Sequence, residues 1–309
     1  MVFVLLFNSM ENGNIALIDT GFDLQLRPKE LGDFVGNKNV VMRLQVMIQS
    51  ALQRGEALSH VLFHGPPGLG KTTLASIVAK EMKANFVTTS GPAIEKAGDL
   101  AGILTNLQEN DILFIDEIHR LQKNIEEYLY SAMEDFSLDL MIDSGPSARS
   151  ISVTLNRFTL VGATTKTGNL SAPLRSRFLH LLRMEYYNTS ALSKIIARSA
   201  NFLDVAIDPN SSLEIAKRSR GTPRVANNIL RWVRDVAQLN NKNIIDEKTV
   251  LNACKMIAAD EMGLDEMDKK ILRIIIDHHE GGPAFLSLLL QVSAKRKIRL
   301  LKYMSLTLL

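Results

Sequence analysis

Val61-Leu62-Phe63-His64-Gly65-Pro66-Pro67-Gly68-Leu69-Gly70-Lys71-Thr72-Thr73 decides the fold. The apolar run 61–64 ends in glycine and reads as a buried strand, and residues 72–82 show helical spacing. Between them lies the full eight-position glycine-rich pattern that cradles a phosphate. The chemistry requires glycine at 65, 68 and 70, because successive backbone N–H groups must turn inward around an anion and a Cβ would keep it out. Lys71 supplies a point charge to the β- and γ-phosphates of a nucleotide, Thr72 offers its hydroxyl to Mg²⁺, and Thr73 is counted with them among the nucleotide-binding positions. A bare glycine turn is the competing interpretation, and the strand–turn–helix setting argues against it.

Outward from this stretch, apolar runs at 85–89, 112–115 and 158–162 alternate with helical segments, the pattern of a parallel sheet covered on both faces. The expected fold class is therefore α/β, a P-loop core. The run 111–117 ends in Asp116 and Glu117. Asp116 suits the Mg²⁺ shell and Glu117 the activation of a water as general base; the same pair also suits a helix cap and a first-turn acid. A second apolar strand closes on Thr164, placed to orient that water and sense the γ-phosphate, although threonine is also simply a good strand residue. Pro173-Leu174-Arg175-Ser176-Arg177-Phe178 offers either a solvated arginine pair or a finger for a neighbouring subunit's phosphate. Gly221-Thr222-Pro223-Arg224 opens a helix, so Arg224 stands where it can report nucleotide state. From about residue 190 strands are expected to stop, with helices over 191–203, 211–219, 224–239 and 247–258. The expected units are an extension over 1–25, an α/β ATPase domain over 26–188, a helical lid over 189–262 and a third small unit over 263–309. Trp232 falls in a helical apolar pattern and reads as core, and His119 receives no catalytic role.

Bulk properties exclude several classes. One cysteine, Cys254, allows no disulfide framework and no thiolate cluster, which fits a reducing, cytoplasmic setting. The apolar start 1–7 has no basic flank and falls short of the ~20 residues that span a bilayer, so no membrane association is expected. It reads as a flexible extension or as a start placed upstream of Met10. The net charge of +3 includes +5 from Lys295, Arg296, Lys297, Arg299 and Lys302, leaving −2 elsewhere. Any basic argument for nucleic acid thus rests on the last fifteen residues.

The order GPPGLGKTT (65–73), LFIDEIH (113–119), GATT (162–165), APLRSRF (172–178) and GTPR (221–224) resembles the AAA+ ATPases. With SGPAIEKAGDLAGILTNL (90–107) and LYSAMEDF (129–136), the chain resembles one family of them closely, the RuvB motors of Holliday-junction branch migration. The similarity runs over roughly 26–283. It implies an ATP hydrolase acting in recombination, DNA repair and the SOS response, with ATP and Mg²⁺ as cofactors. It further implies a homo-hexamer around duplex DNA and Holliday junctions, a RuvA-like junction-binding partner and, indirectly, a RuvC-like resolvase. By resemblance, Leu26 and Arg27 contact the adenine end, Arg177 is the finger acting in trans, Arg224 is the lid sensor, and Glu134, Asp135, Phe136 and Tyr187 fall on nucleotide-site positions. A β-hairpin over 138–153, turning at Gly145-Pro146, would dock the RuvA-like partner through residues such as Ile151 and Val153; packing on the core is the other expectation for those two. The resemblance also implies a winged-helix DNA-binding domain over 263–309, here incomplete or altered: residues 284–309 depart from the family pattern, consistent with a shifted or truncated end or with basic residues still contacting phosphates. Two alternatives stand beside the motor: a nucleotide-dependent assembly module, and a clamp-loader-like ATPase.

Overall fold

The computed structural model describes residues 26–141, 150–240 and 243–279. Its centre is a five-stranded parallel sheet in the order β2-β3-β6-β1-β7, built from β1 (Val61–His64), β2 (Phe86–Ser90), β3 (Ile112–Asp116), β6 (Thr159–Thr164) and β7 (His180–Arg183). In the three central strands side chains alternate between two apolar clusters, one on each face. Phe63, Phe114, Val161 and Ala163 enter the first, and Leu62, Leu113, Ile115 and Leu160 the second. Burial on both faces is why these strands are apolar without interruption. Helices α1 (Lys38–Arg54) and α2 (Lys71–Glu81) cover the first face, while α3 (Ala97–Thr105), α4 (Lys123–Glu134) and α5 (Ala172–Ser176) cover the second. A separate hairpin of β4 (Ser137–Met141) and β5 (Ser150–Thr154) pairs Leu138 with Val153; its expected turn at Gly145-Pro146 lies outside the described residues.

The lid contains α6 (Thr189–Phe202), α7 (Pro209–Arg218), α8 (Pro223–Leu239) and α9 (Glu247–Met256). Its boundaries follow capping chemistry. The side chains of Asn188, Asp208 and Asp246 accept hydrogen bonds from first-turn amides, and Pro209 and Pro223 occupy the position where a missing N–H costs nothing. The lid is not wholly helical as expected, because Ala206–Ile207 (β8) and Ile244–Ile245 (β9) form a short parallel ladder. Two residues per strand are too few to leave a periodic signal. Trp232 is half-buried against the first cluster and donates its indole N–H to Ala253 O at 2.8 Å, a packing role. That cluster runs without a break from the sheet through Leu69, Met184 and Tyr187 into Leu192, Ile215, Leu230 and Val250, so core and lid share one apolar interior. Helix α10 (Glu266–His279) follows, tied back by Arg220 to Asp268 at 2.5 Å. The extension 1–25 and residues 280–309 of the expected winged-helix segment lie outside the described residues.

Candidate nucleotide site

The ends of β1, β3 and β6 are hydrogen-bonded neighbours, so the loop after β1, the acids after β3 and the hydroxyls after β6 meet at one edge. The glycine loop is fixed from both sides: Gly65 N donates to Thr164 O at 3.2 Å and Met184 N donates to His64 O at 2.7 Å. Gly65 (φ +137°), Gly68 (φ +78°) and Gly70 (φ +97°) all adopt backbone that side chains disfavour. A Cβ at Gly65 would fall 2.4 Å from Met184 O, and one at Gly68 would fall 2.8 Å from Thr222 Cγ2. The turn thus needs glycine both for its own shape and for the close approach of the lid.

Lys71 begins α2 and is buried, its Nζ donating to Gly65 O and Pro66 O, each at 2.8 Å. Burial lowers its pKa to about 8; attraction from Glu117 and Asp116 opposes that shift and repulsion from Arg224 adds to it. Asp116 is raised, chiefly by burial, although the Glu117 N–H bound to its Oδ1 at 2.9 Å favours the anion. Glu117 sits at φ +47° just past the strand. Its Oε2 accepts from Thr165 Oγ1 at 3.0 Å and lies 3.1 Å from His119 Nδ1. Thr164 is fully buried; its Oγ1 accepts from Lys166 N at 3.0 Å and lies 2.9 Å from His119 Nδ1. The threonine that meets Glu117 and lines the pocket is therefore Thr165. Strand register separates the two neighbouring threonines. The β-ladder ends at Thr164, facing inward, and the next residue turns to the opposite side.

The pocket extends from these groups to the seam between core and lid. Its lining includes Leu26, Arg27, Gly68, Gly70, Lys71, Thr72, Thr73, Asp116, Glu117, Tyr187 and Arg224. Tyr187 crosses the seam: its Oη donates to Leu69 O at 2.9 Å, its N donates to Gly221 O at 2.9 Å, and burial pushes its phenol up to about 12. Arg224 N donates to Gly68 O at 3.4 Å, bringing α8 onto the loop. Phe34, Arg198, Asn227, Asn228 and Arg231 also line the pocket and were not anticipated. Phe34 packs beside Gly70 within the core, and lid docking brings the other four to the pocket. No group of three or more His, Cys, Asp or Glu that could hold a metal occurs among the described residues. Thr72 and Asp116 are two oxygen donors on the pocket that could hold a hard cation, with phosphate and water completing its shell.

Six of the sequence candidates do not line this pocket: Gly65 and Thr164 stand just behind it, and Arg177, Glu134, Asp135 and Phe136 lie elsewhere. Arg177 donates to Glu134 Oε2 at 3.0 Å and to Pro173 O at 2.9 Å, and its guanidinium stands 4.4 Å from the Tyr130 ring centroid. Asp135 ends α4, and Phe136 (φ +48°) meets Phe158 edge-on at 5.9 Å. Gathered at the end of α4, these residues form a second edge of the molecule. On the hairpin beyond them Ile151 is exposed and Val153 half-buried, so neither is a core residue.

Comparison with known proteins covers both units. Residues 26–184 match the family described as "Holliday junction DNA helicase RuvB P-loop domain", and residues 187–260 match the "RuvB AAA lid domain". The chain is 62% identical over 270 residues to the Holliday junction branch migration complex subunit RuvB of Protochlamydia amoebophila, covering 87% of this chain and 81% of that one. It is 58% identical over 259 residues to the RuvB subunit of Kosmotoga olearia, covering 84% and 76%. Among solved structures it is similar to the Thermotoga maritima RuvB Holliday junction branch migration motor, at 47% identity and a TM-score of 0.78, covering 88% of this chain and 86% of that one.

Proposed function

The chain belongs to the RuvB family, and from that premise we propose that it is the ATP-driven motor of Holliday-junction branch migration, moving DNA in recombination and repair. It is a P-loop AAA+ ATP hydrolase and binds nucleotide at the seam of core and lid. The observation that carries the reading is the convergence of Lys71, Asp116, Glu117 and Thr165 on one sheet edge under Arg224. The assembly-module and clamp-loader-like alternatives are not favoured, since the match to this family spans both the P-loop unit and the lid.

Within the site, the loop amides and Lys71 hold the β- and γ-phosphates, and Thr72 and Asp116 hold Mg²⁺. The cation supplies charge neutralisation at the phosphates when bound. Glu117 takes a proton from the attacking water, steadied by Thr165, while buried Thr164 fixes the end of β6 behind it. Leu26, Arg27 and Tyr187 shape the adenine end, and Arg224 couples the phosphates to the lid. Arg177 acts on the site of a neighbouring copy, with Glu134, Asp135 and Phe136 on the same contacting edge. Support for this comes from the place of these residues outside their own pocket. Such an arrangement requires a ring, and a homo-hexamer enclosing duplex DNA is the form proposed. The exposed Ile151 on β5 is the proposed contact for a RuvA-like junction-binding protein, with a RuvC-like resolvase acting on the same junction. No described helix is long and apolar enough to cross a membrane, and a cytoplasmic location is proposed.

The test is the ATPase rate with and without duplex and four-way-junction DNA across a salt series. The motor reading expects stimulation by DNA that weakens steeply as salt rises. Turnover indifferent to DNA at low salt would remove the motor reading and leave an ATPase alone.

A further inference from the structure

We propose that Tyr130 is a positioning residue for Arg177, its ring holding the plane of the guanidinium that acts on the neighbouring copy's nucleotide. The inference rests on reading Arg177 as that finger. Glu126, Tyr130 and Glu134 stand four residues apart on α4, so they form one stripe along the helix. The stripe runs from a buried acid, Glu126, to an exposed one, Glu134, with the ring between them. Helix α5 lies against it: Ser171 caps its start, accepting from Leu174 N at 3.3 Å, and Arg177 caps its end. Both caps meet Tyr130. The phenol Oη donates to Glu126 Oε2 at 3.3 Å and lies 3.0 Å from Ser171 Oγ, while the Arg177 guanidinium stands over the ring, 4.4 Å from its centroid.

These contacts constrain different freedoms of the guanidinium. Nη1 donates to Pro173 O at 2.9 Å and Nη2 to Glu134 Oε2 at 3.0 Å, which fixes rotation within the plane. The plane itself rests on the ring, since Nε is buried with no hydrogen-bond partner among the described residues. A ring suits a finger better than a second carboxylate would, because it attracts the cation through its face, takes up no N–H donor and cancels no charge. The Glu134 side chain is 56% exposed, whereas the ring is anchored through its hydroxyl to buried Glu126 and to the cap of α5. Tyr130 is thus the fixed support and Glu134 the one that an incoming phosphate can replace. Tyr130 does not line its own chain's pocket, so its effect reaches a nucleotide only through Arg177.

Steady-state ATPase kinetics, nucleotide affinity and melting temperature of the full chain decide this. Tyr130→Phe keeps the ring and loses the hydroxyl; it is expected to lower the melting temperature while holding kcat within about twofold of the wild type. Tyr130→Leu loses both, and kcat is expected to fall about threefold to thirtyfold, the range of one cation–π contact, with nucleotide affinity unchanged. In an Arg177→Ala background, Tyr130→Leu should add no further loss. Mixed with Lys71→Ala chains, the Leu chain should regain turnover, because its intact loops then meet well-held fingers. The proposal is overturned if Leu turns over like Phe, if the Leu loss persists in full without Arg177, or if verified mixed assemblies bring no recovery. Should the Leu chain fail to fold, Tyr130→Met supplies the ringless variant. Full turnover in Arg177→Ala alone would overturn the finger reading itself, a result distinct from the others.

Discussion

Lys71 and Arg177 are both cations assigned to ATP hydrolysis, yet the fold treats them in opposite ways. Lys71 is buried inside its own phosphate loop, satisfied by Gly65 O and Pro66 O, with its pKa lowered to about 8. Arg177 caps α5 outside the nucleotide pocket, held by Pro173 O, Glu134 and the Tyr130 ring. The first region is a site built within one chain from strand ends. The second is a surface edge outside that pocket, and the proposal gives it to a neighbouring copy. Lys71 is held by two backbone carbonyls of its own loop, whereas Arg177 is held by one backbone carbonyl, a carboxylate and a ring at the surface.

The comparison breaks most sharply at Lys71. Lys71→Ala should abolish measurable turnover and weaken nucleotide binding by at least about a hundredfold, because the loop loses its only buried cation facing the phosphates; near-normal binding by fluorescence titration would contradict the within-chain reading. Arg177→Ala should lower turnover by about 10³-fold while leaving nucleotide affinity near normal, and a matching loss of affinity would place the arginine in its own site after all. Gly68→Ala tests the seam. With φ at +78° and Thr222 Cγ2 2.8 Å from the new methyl, a destabilisation of about 1–3 kcal/mol is expected in denaturant unfolding.

The smallest effect concerns His60, which sits under the Arg177 edge. Its Nδ1 accepts from Leu160 N at 2.9 Å, so Nε2 carries the proton and donates to Met133 O at 3.1 Å. Burial lowers its pKa below 6.5. The neutral form is the one that folds, so its contribution is complete above the unfolded value of 6.5 and is lost as pH falls toward the lower folded value. His60→Gln should flatten the fall in melting temperature between about pH 7 and about pH 5, and an unchanged slope would assign that fall to other groups.

Much of the first region is legible in sequence because its requirements are local. Glycines 65, 68 and 70 occupy conformations that demand glycine, and Asp116 and Glu117 close an apolar strand. Other parts of the chain are less so. Strand β7 carries Leu181 and Arg183 outward, and so gives no continuous apolar run. The two-residue ladder of β8 and β9 has no period to detect. Thr164 and Thr165 are identical neighbours that differ only by which side of the pleat they face, so sequence alone does not choose between them. Asn227, Asn228 and Arg231 reach the pocket through the docking of α8, a contact encoded in tertiary packing.

The most direct test mixes two inactive chains. Arg177→Ala retains a sound phosphate loop but offers no finger, and Lys71→Ala retains the finger but no loop. If the site is shared between copies, mixed assemblies pair an intact loop with an intact finger, and ATPase activity rises well above the sum of the separate chains. Activity equal to that sum at every mixing ratio, with mixed assembly verified, would contradict a shared site and return Arg177 to its own chain.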